Sequence, residues 1–290
     1  MASSLHNEIF IILNPMAKGE RARALKKNLD RFSSQALVKL TRAAGDATVL
    51  ASQAVEQGFR TIVAAGGDGT LNEVVNGLAN SPARLGILPL GTVNVFARET
   101  GIPLDLHAAW NVVVKGKTRK IDLARANDKY FVQLAGVGLD AQTIKETTFG
   151  FKKIWGPMSY IFNSIRIASQ EAPRITLTLP DGQKHEGCFA LVGNGRYYGG
   201  SFEFFHDARL DDGLLDICLF KSQKHHDLIR YFNGVLFKTL KHMEDVVTVK
   251  AESASITAEK ETALEIDGEY CGTSPVHFSV QKSALTVIVP

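Results

Sequence analysis

Cysteine is scarce in this 290-residue chain: Cys188, Cys218 and Cys271 are the only three. They lie far apart, form no C-x-x-C pair and offer no zinc spacing, so a disulfide framework is not expected and a reduced, intracellular setting is the simpler reading. Charge of one sign is scarce too. Thirty-three Lys and Arg against thirty Asp and Glu leave a formal +3, too weak a field to mark a nucleic-acid binder. No apolar run comes near the roughly 20 residues that span a bilayer, and Met1 to Glu8 lacks the basic stretch that opens a secretory signal. Two familiar phosphate loops are also missing. G-x-x-x-x-G-K-[ST] occurs nowhere, and reading on from Gly67 the dinucleotide pattern needs glycine where Asn72 stands.

What is present is a 45% hydrophobic chain, long enough for two domains with separate cores. Its first part alternates strand and helix. Apolar runs near 8–13, 37–41, 61–65 and 84–88 read as strands covered on both faces, while Gly19 to Ser33, Asp46 to Gln57 and Thr70 to Asn80 have helical character. This predicts a mainly parallel α/β domain over residues 1–122, with its ligand at the carboxyl ends of the strands. From about Leu123 the pattern changes. Runs at Tyr130 to Val137, Arg174 to Leu179, Gly187 to Val192, Leu214 to Phe220, Val246 to Val249, Ala263 to Ile266, Val276 to Val280 and Leu285 to Val289 predict a largely antiparallel, sandwich-like domain over 123–290.

The most informative stretch is Gly66-Gly67-Asp68-Gly69-Thr70-Leu71-Asn72-Glu73. It stands where the strand Thr61 to Ala65 gives way to a helix whose apolar face is Leu71, Val74, Val75 and Leu78. Glycines there let a phosphate approach the free N–H groups and positive dipole of the helix start without a Cβ in the way. A tight βα turn capped by Asp68 or Thr70 is the alternative. The stretch resembles the GGDGT loop shared by diacylglycerol and sphingosine kinases, NAD kinases and, more distantly, phosphofructokinases.

A second motif narrows the resemblance. Leu88-Pro89-Leu90-Gly91-Thr92-Val93-Asn94-Val95-Phe96-Ala97-Arg98 is similar to a segment of the diacylglycerol-kinase catalytic domain that NAD kinases do not carry; Thr92 and Asn94 could bond a nucleotide or cap the helix. Further landmarks follow in that family's order. Asn14-Pro15 ends the first strand, Thr41 ends the second, and Gly193-Asn194-Gly195 with Gly199-Gly200, Leu210-Asp211-Asp212-Gly213-Leu214-Leu215-Asp216 and Asp267-Gly268-Glu269 resemble loops of the bacterial diacylglycerol-kinase-like lipid kinases.

That resemblance implies a phosphoryl transfer in a cleft between the domains, ATP and Mg²⁺ as donor and metal, and Asp267 as the base that takes the hydroxyl proton. Glu269 and Asp68 would hold magnesium-bound water. Asn14, Thr41, Gly66 to Asn72 and Thr92 would hold the nucleotide. A structural Mg²⁺ is implied at the Arg209 carbonyl, the Asp212 side chain and the Leu214 carbonyl. Each has a plainer reading: Asp-Gly after an apolar strand makes an ordinary hairpin, and Asp211, Asp212 and Asp216 make an acidic turn. Two departures stand out. Val95 occupies a position where many relatives carry aspartate, and His206 one where they usually carry proline.

The expected activity is transfer of the γ-phosphoryl of ATP to a lipid hydroxyl, with a diacylglycerol-like or phosphatidylglycerol-like acceptor. NAD kinase is one alternative. A non-catalytic lipid-binding descendant is another, against which Asp68, Asp267 and Glu269 are retained. The expected setting is cytoplasmic and peripheral at the inner membrane face, with the lipid as partner, a homodimer as the assembly to test and no nucleic acid. Phe149 to Met158 and the basic amphipathic helix expected over Lys224 to Lys241 are the candidate membrane contacts, with internal packing as the alternative for both.

Overall fold

The computed structural model describes residues 8–16, 36–150, 171–200 and 202–290, of which 145–150 by backbone alone. The expected helix Gly19 to Ser33 and the side chains of Phe149 to Met158 lie outside the described residues. The elements are β1 (Ile9–Leu13), β2 (Leu37–Leu40), α1 (Asp46–Glu56), β3 (Thr61–Gly66), α2 (Asp68–Leu78), β4 (Arg84–Pro89), α3 (Val95–Glu99), α4 (Leu106–Lys115), β5 (Lys117–Ala126), β6 (Lys129–Phe131), β7 (Leu134–Val137) and α5 (Leu139–Gly150). They continue with β8 (Ile175–Thr178), β9 (Lys184–Gly187), β10 (Phe189–Gly193), β11 (Tyr197–Tyr198), β12 (Phe202–Glu203), β13 (Leu215–Phe220), α6 (His225–Leu236), β14 (Val246–Ala251), β15 (Ser253–Ala258), β16 (Ala263–Ile266), β17 (Glu269–Thr273) and β18 (Val276–Val289). No helix of the described residues is long and apolar enough to cross a membrane.

The chain divides into two compact units. The first takes Met1–Leu123, Gly199–Phe202 and Gln281–Pro290. Its sheet is parallel, in the order β2-β1-β3-β4 followed by the end of β18, where Thr286 and Val287 pair with Arg84 and Leu85. Every residue of β1 and β3 is buried, as expected of parallel strands covered on both faces. The edge strand β2 is half open instead. On α2 the expected stripe Leu71, Val74, Val75 and Leu78 is buried. α4, not expected from the pattern, starts where the Asp105 carboxylate accepts the Ala108 N–H at 2.9 Å.

The second unit takes Ala124–Tyr198 and Glu203–Val280. One antiparallel sheet runs β14-β13-β10-β7-β16-β17; the other pairs the start of β18 with β15, and β15 with β8 and β9. Side chains from both, among them Phe131, Val137, Leu177, Val192, Ile217, Leu219, Ile256, Leu264 and Phe278, form one buried cluster. That is the packing of a sandwich.

Two differences from the sequence pattern have physical causes. Val276 to Val280 and Leu285 to Val289 are one strand, and its last residues return to the first unit rather than ending the second. The polar Gln281-Lys282-Ser283 break in the pattern hides this continuity; there the Ser283 N–H donates to the Asp122 carboxylate at 2.7 Å. Conversely, Tyr130 to Val137 is two strands. β6 and β7 are separated at Val132 and Gln133 because those N–H groups turn to a carboxylate described below.

Candidate functional site

In the first unit the parallel ladder carries the chain ends of β1, β3 and β4 side by side. Asn14 N–H donates to the Ala65 carbonyl at 3.0 Å and Leu90 N–H to the Gly66 carbonyl at 2.9 Å. Asn14 Nδ2 then donates to Thr70 Oγ1 at 3.0 Å, and Thr41 N–H reaches the Leu13 carbonyl. Asn14, Thr41, Gly66 and Thr70 are thereby gathered at the carboxyl edge. Helix α2 opens at Gly67 with no side-chain cap, so its first N–H groups are offered to an outside acceptor. Leu71 has its side chain in the core and gives its N–H to the Gly67 carbonyl. Asn72 bonds Asn76, and Thr92 is exposed.

The two glycine motifs touch. A Cβ at Gly91 would stand 2.6 Å from Gly67 Cα and 2.8 Å from Asn94 Oδ1, so the backbones meet at a distance only glycine permits. Asn94, in the left-handed region at φ 53, closes this turn by accepting the Gly91 N–H at 2.9 Å and donating to the Gly91 carbonyl at 2.7 Å. The helix start is capped from elsewhere. Asp68 accepts the Asn94 N–H at 3.0 Å and the Val95 N–H at 2.7 Å, so the carboxylate of the first loop fixes the second. Burial raises the Asp68 pKa, and these backbone donors oppose the rise. A carboxylate 27 residues before the helix it caps leaves no local signal in the sequence.

In the second unit Asp267 and Gly268 form the two-residue turn between β16 and β17, with φ values of 47 and 85. Both positive values mark the primed hairpin turn that Asp-Gly favours. The hairpin does more than turn. Asp267 Oδ2 accepts the Val132 N–H at 2.9 Å, and Oδ1 accepts those of Gln133 at 2.9 Å and Leu134 at 3.2 Å. Three donors thus fix the carboxylate's orientation. Gln133 in turn takes the N–H groups of Asn194 and Gly195 on its carbonyl, which seats the Asn-Gly loop beside the hairpin. Glu269 is exposed at the start of β17.

Beneath the turn lies a pair of acids that the sequence did not single out. Glu265 is fully buried and accepts the Gly268 N–H at 2.8 Å. Asp140, also buried, accepts the Tyr198 hydroxyl. A Cβ on Gly136 would lie 2.7 Å from Asp140 Oδ2 and 3.0 Å from Glu265 Oε1, so both carboxyls sit over a residue that must be small. Burial, then the neighbouring Asp140 charge, push the Glu265 pKa well above the usual carboxyl range. Each carboxylate disfavours the ionised form of the other.

In the loop expected to hold a metal, the Asp212 carboxylate has protein partners. Asp212 Oδ1 accepts the Leu214 N–H at 3.1 Å, and its other oxygen lies 3.4 Å from Lys250 Nζ. Lys250 is also 3.1 Å from Asp216 and donates to the Asp207 carbonyl at 2.8 Å. Arg209 pairs with Asp211 at 3.5 Å. His206, at the position usually proline in relatives, bonds the Val235 carbonyl through Nε2 at 2.9 Å.

Comparison with known proteins agrees with this layout. Residues 8–126 match the model of the diacylglycerol kinase catalytic domain, and residues 134–289 that of the YegS C-terminal NAD kinase beta sandwich-like domain. A diacylglycerol kinase of Staphylococcus carnosus (strain TM300) is 31% identical over 97% of this chain and 94% of its own length. One from Staphylococcus aureus (strain JH9) is 33% identical over 97% of this chain and 91% of its own. The crystal structure of a diacylglycerol kinase from Bacillus anthracis str. Sterne superposes with a TM-score of 0.75 at 27% identity, covering 98% of this chain and 97% of that one.

Proposed function

The chain belongs to the diacylglycerol kinase family and is a lipid kinase, and from that premise we propose that it transfers the γ-phosphoryl group of ATP to the hydroxyl of a diacylglycerol-like or phosphatidylglycerol-like lipid. The observation that carries this reading is the contact of two glycine turns, Gly67 on Gly91, locked by Asp68 beside the uncapped start of α2. Such a surface takes phosphate on backbone N–H groups. Asn14, Thr41, Gly66, Gly67, Gly69, Thr70 and Thr92 would line the nucleotide, with Leu71 contributing only to the core beneath it. Mg²⁺, met through water by Asp68, would offset the charge of the phosphates. Asp267, oriented by its three donors, is the group we assign to receive the proton of the attacking hydroxyl.

A lipid acceptor calls for a surface that meets the bilayer, and α6 is the segment we assign to it. Its inner face is anchored by Tyr231, whose hydroxyl donates to Asp245 at 2.6 Å, and the exposed Arg230 pairs with Asp227 and Asp245. The other face leaves Ile229, Phe232, Leu236 and Phe237 at 65%, 54%, 50% and 74% exposure, with Lys224 before the helix and Lys238 and Lys241 after it. Apolar side chains rimmed by cations suit an anionic membrane surface. The helix is shorter than the sequence suggests. Lys238, at φ 57, ends it as Thr239 N–H bonds the Gly234 carbonyl and Lys238 N–H that of Val235.

The test is incubation of the purified chain with γ-labelled ATP, Mg²⁺ and vesicles carrying diacylglycerol or phosphatidylglycerol. Label in a lipid product supports the reading. Label found only in NADP when NAD is supplied would move the chain to the NAD kinases, and no product from any acceptor would favour a non-catalytic lipid binder.

A further inference from the structure

The loop from Asp207 to Asp216 carries four aspartates, at 207, 211, 212 and 216. Asp211 has Arg209 beside it. Asp212 and Asp216 are both largely buried, their side chains 19% and 12% exposed, and each needs a counter-charge. The sheet supplies one. β13 and β14 are antiparallel with Asp216 directly opposite Lys250, the cross-strand position where opposite charges meet. Gly213, at φ 73, takes the turn that precedes Leu214, and the Asp212 carboxylate accepts the Leu214 N–H.

The lysine is fully engaged there. An ammonium has three N–H donors, and three acceptors surround this one: the Asp207 carbonyl at 2.8 Å, Asp216 Oδ2 at 3.1 Å and Asp212 Oδ2 at 3.4 Å. A divalent ion on Asp212 would have to come within roughly 2.0–2.6 Å of a carboxylate oxygen. On Oδ2 it would face the ammonium at close range, and on Oδ1 it would compete with the Leu214 N–H.

We propose that Lys250 is the built-in cation of this loop, standing in for a divalent ion, so that the loop's structure in this chain does not depend on metal. The positive charge is delivered by the strand that pairs with the loop's exit strand, and it cannot dissociate or be chelated. Removing it would leave Asp212, Asp216 and the Asp207 carbonyl as an oxygen-lined set open to a hard cation. Lys250 thus decides whether the loop is metal-free or metal-requiring. This inference is independent of the phosphoryl-transfer reading, since its readout is folding and not turnover.

The experiment is thermal unfolding of the full chain without nucleotide, in excess EDTA and in millimolar Mg²⁺ or Ca²⁺, for wild type, Lys250→Met and Asp212→Asn. Wild type is expected to melt at the same temperature, within about 1 °C, with chelator and with either ion. Lys250→Met should melt several degrees lower in EDTA, about 3 °C for each kcal/mol lost, and recover with Mg²⁺ or Ca²⁺. Asp212→Asn should be lowered equally in all conditions. If wild type melts several degrees lower in EDTA and Asp212→Asn abolishes that difference, the loop holds a metal despite Lys250 and the proposal is overturned. Failure of divalent ions to raise the Lys250→Met melting point would overturn it as well. Should that variant not fold, Mn²⁺ binding to wild type decides. A bound ion displaced by Asp212→Asn refutes the tethered cation, and no Asp212-dependent ion supports it.

Discussion

Replacing Asp267 by asparagine separates the two things this residue can do. The carboxylate takes three backbone N–H groups, one on Oδ2 from Val132 and two on Oδ1 from Gln133 and Leu134. An asparagine in the same place can serve Gln133 and Leu134 with its carbonyl, but its amide then points N–H at the N–H of Val132. One buried donor is left unpaired at roughly 1–3 kcal/mol, and the two remaining bonds lose their charge assistance, at about 1 kcal/mol each. The turn itself is indifferent, since Asn-Gly suits it as well as Asp-Gly. The variant should therefore fold with stability reduced by roughly 3–5 kcal/mol. If Asp267 is also the general base, turnover per folded molecule should fall by about 10²–10⁴-fold while ATP affinity barely moves. Urea unfolding gives the first quantity; lipid phosphorylation normalised to folded protein and nucleotide titration give the others. A folded variant with turnover within about threefold of wild type would refute the base and leave Asp267 as the anchor of its hairpin, because a base worth the range above cannot be lost so lightly.

The cradle should be intolerant of side chains. Gly91→Ala brings a Cβ to 2.6 Å from Gly67 Cα, so nucleotide affinity and melting temperature should drop together, and unchanged titration curves in the folded variant would mean the glycine contact is only packing. Gly67→Val, whose Cβ would be 3.3 Å from Gly91 Cα, should cripple ATP binding further, because a branched side chain also covers the N–H groups of α2. Asp68→Asn leaves one of the Asn94 and Val95 N–H groups facing an amide and should cost roughly 1–3 kcal/mol, read by denaturant unfolding. Glu265→Gln bears on pH. The raised Glu265 pKa means that the folded chain keeps a proton which the unfolded chain sheds above about pH 4.3, so wild-type stability falls as pH climbs from there. Glutamine mimics the protonated acid and removes that slope, so the variant should gain on wild type as pH rises above about 4.3, and parallel curves would disprove the buried proton.

The parallel first sheet, the sandwich and the positions of the glycine loops were readable in the residues themselves. Each depends on the period of apolar side chains and on turn chemistry, which neighbours in sequence decide. The stripe Leu71, Val74, Val75 and Leu78, the buried runs of β1 and β3, and the Asp-Gly turn at 267 are of this kind. What joins these pieces was not readable. Asp68 caps a helix that begins 27 residues later, and Asp267 is held by N–H groups more than 130 residues earlier. Lys250 faces Asp216 because β13 pairs with β14, and Glu265 meets Asp140 over Gly136 because β16 pairs with β7. A carboxylate has no periodicity; its partner is whichever donor the sheet order brings within about 3 Å. The same holds for residues 281–290, whose apolar alternation fits either unit, and which joined the first because β4 had an open edge for β18 to complete. The sequence by itself determined which residues could bind phosphate, turn a hairpin or carry charge. Strand order decided which of them are oriented and which are neutralised, because hydrogen bonds and ion pairs act only over the few ångströms that folding closes.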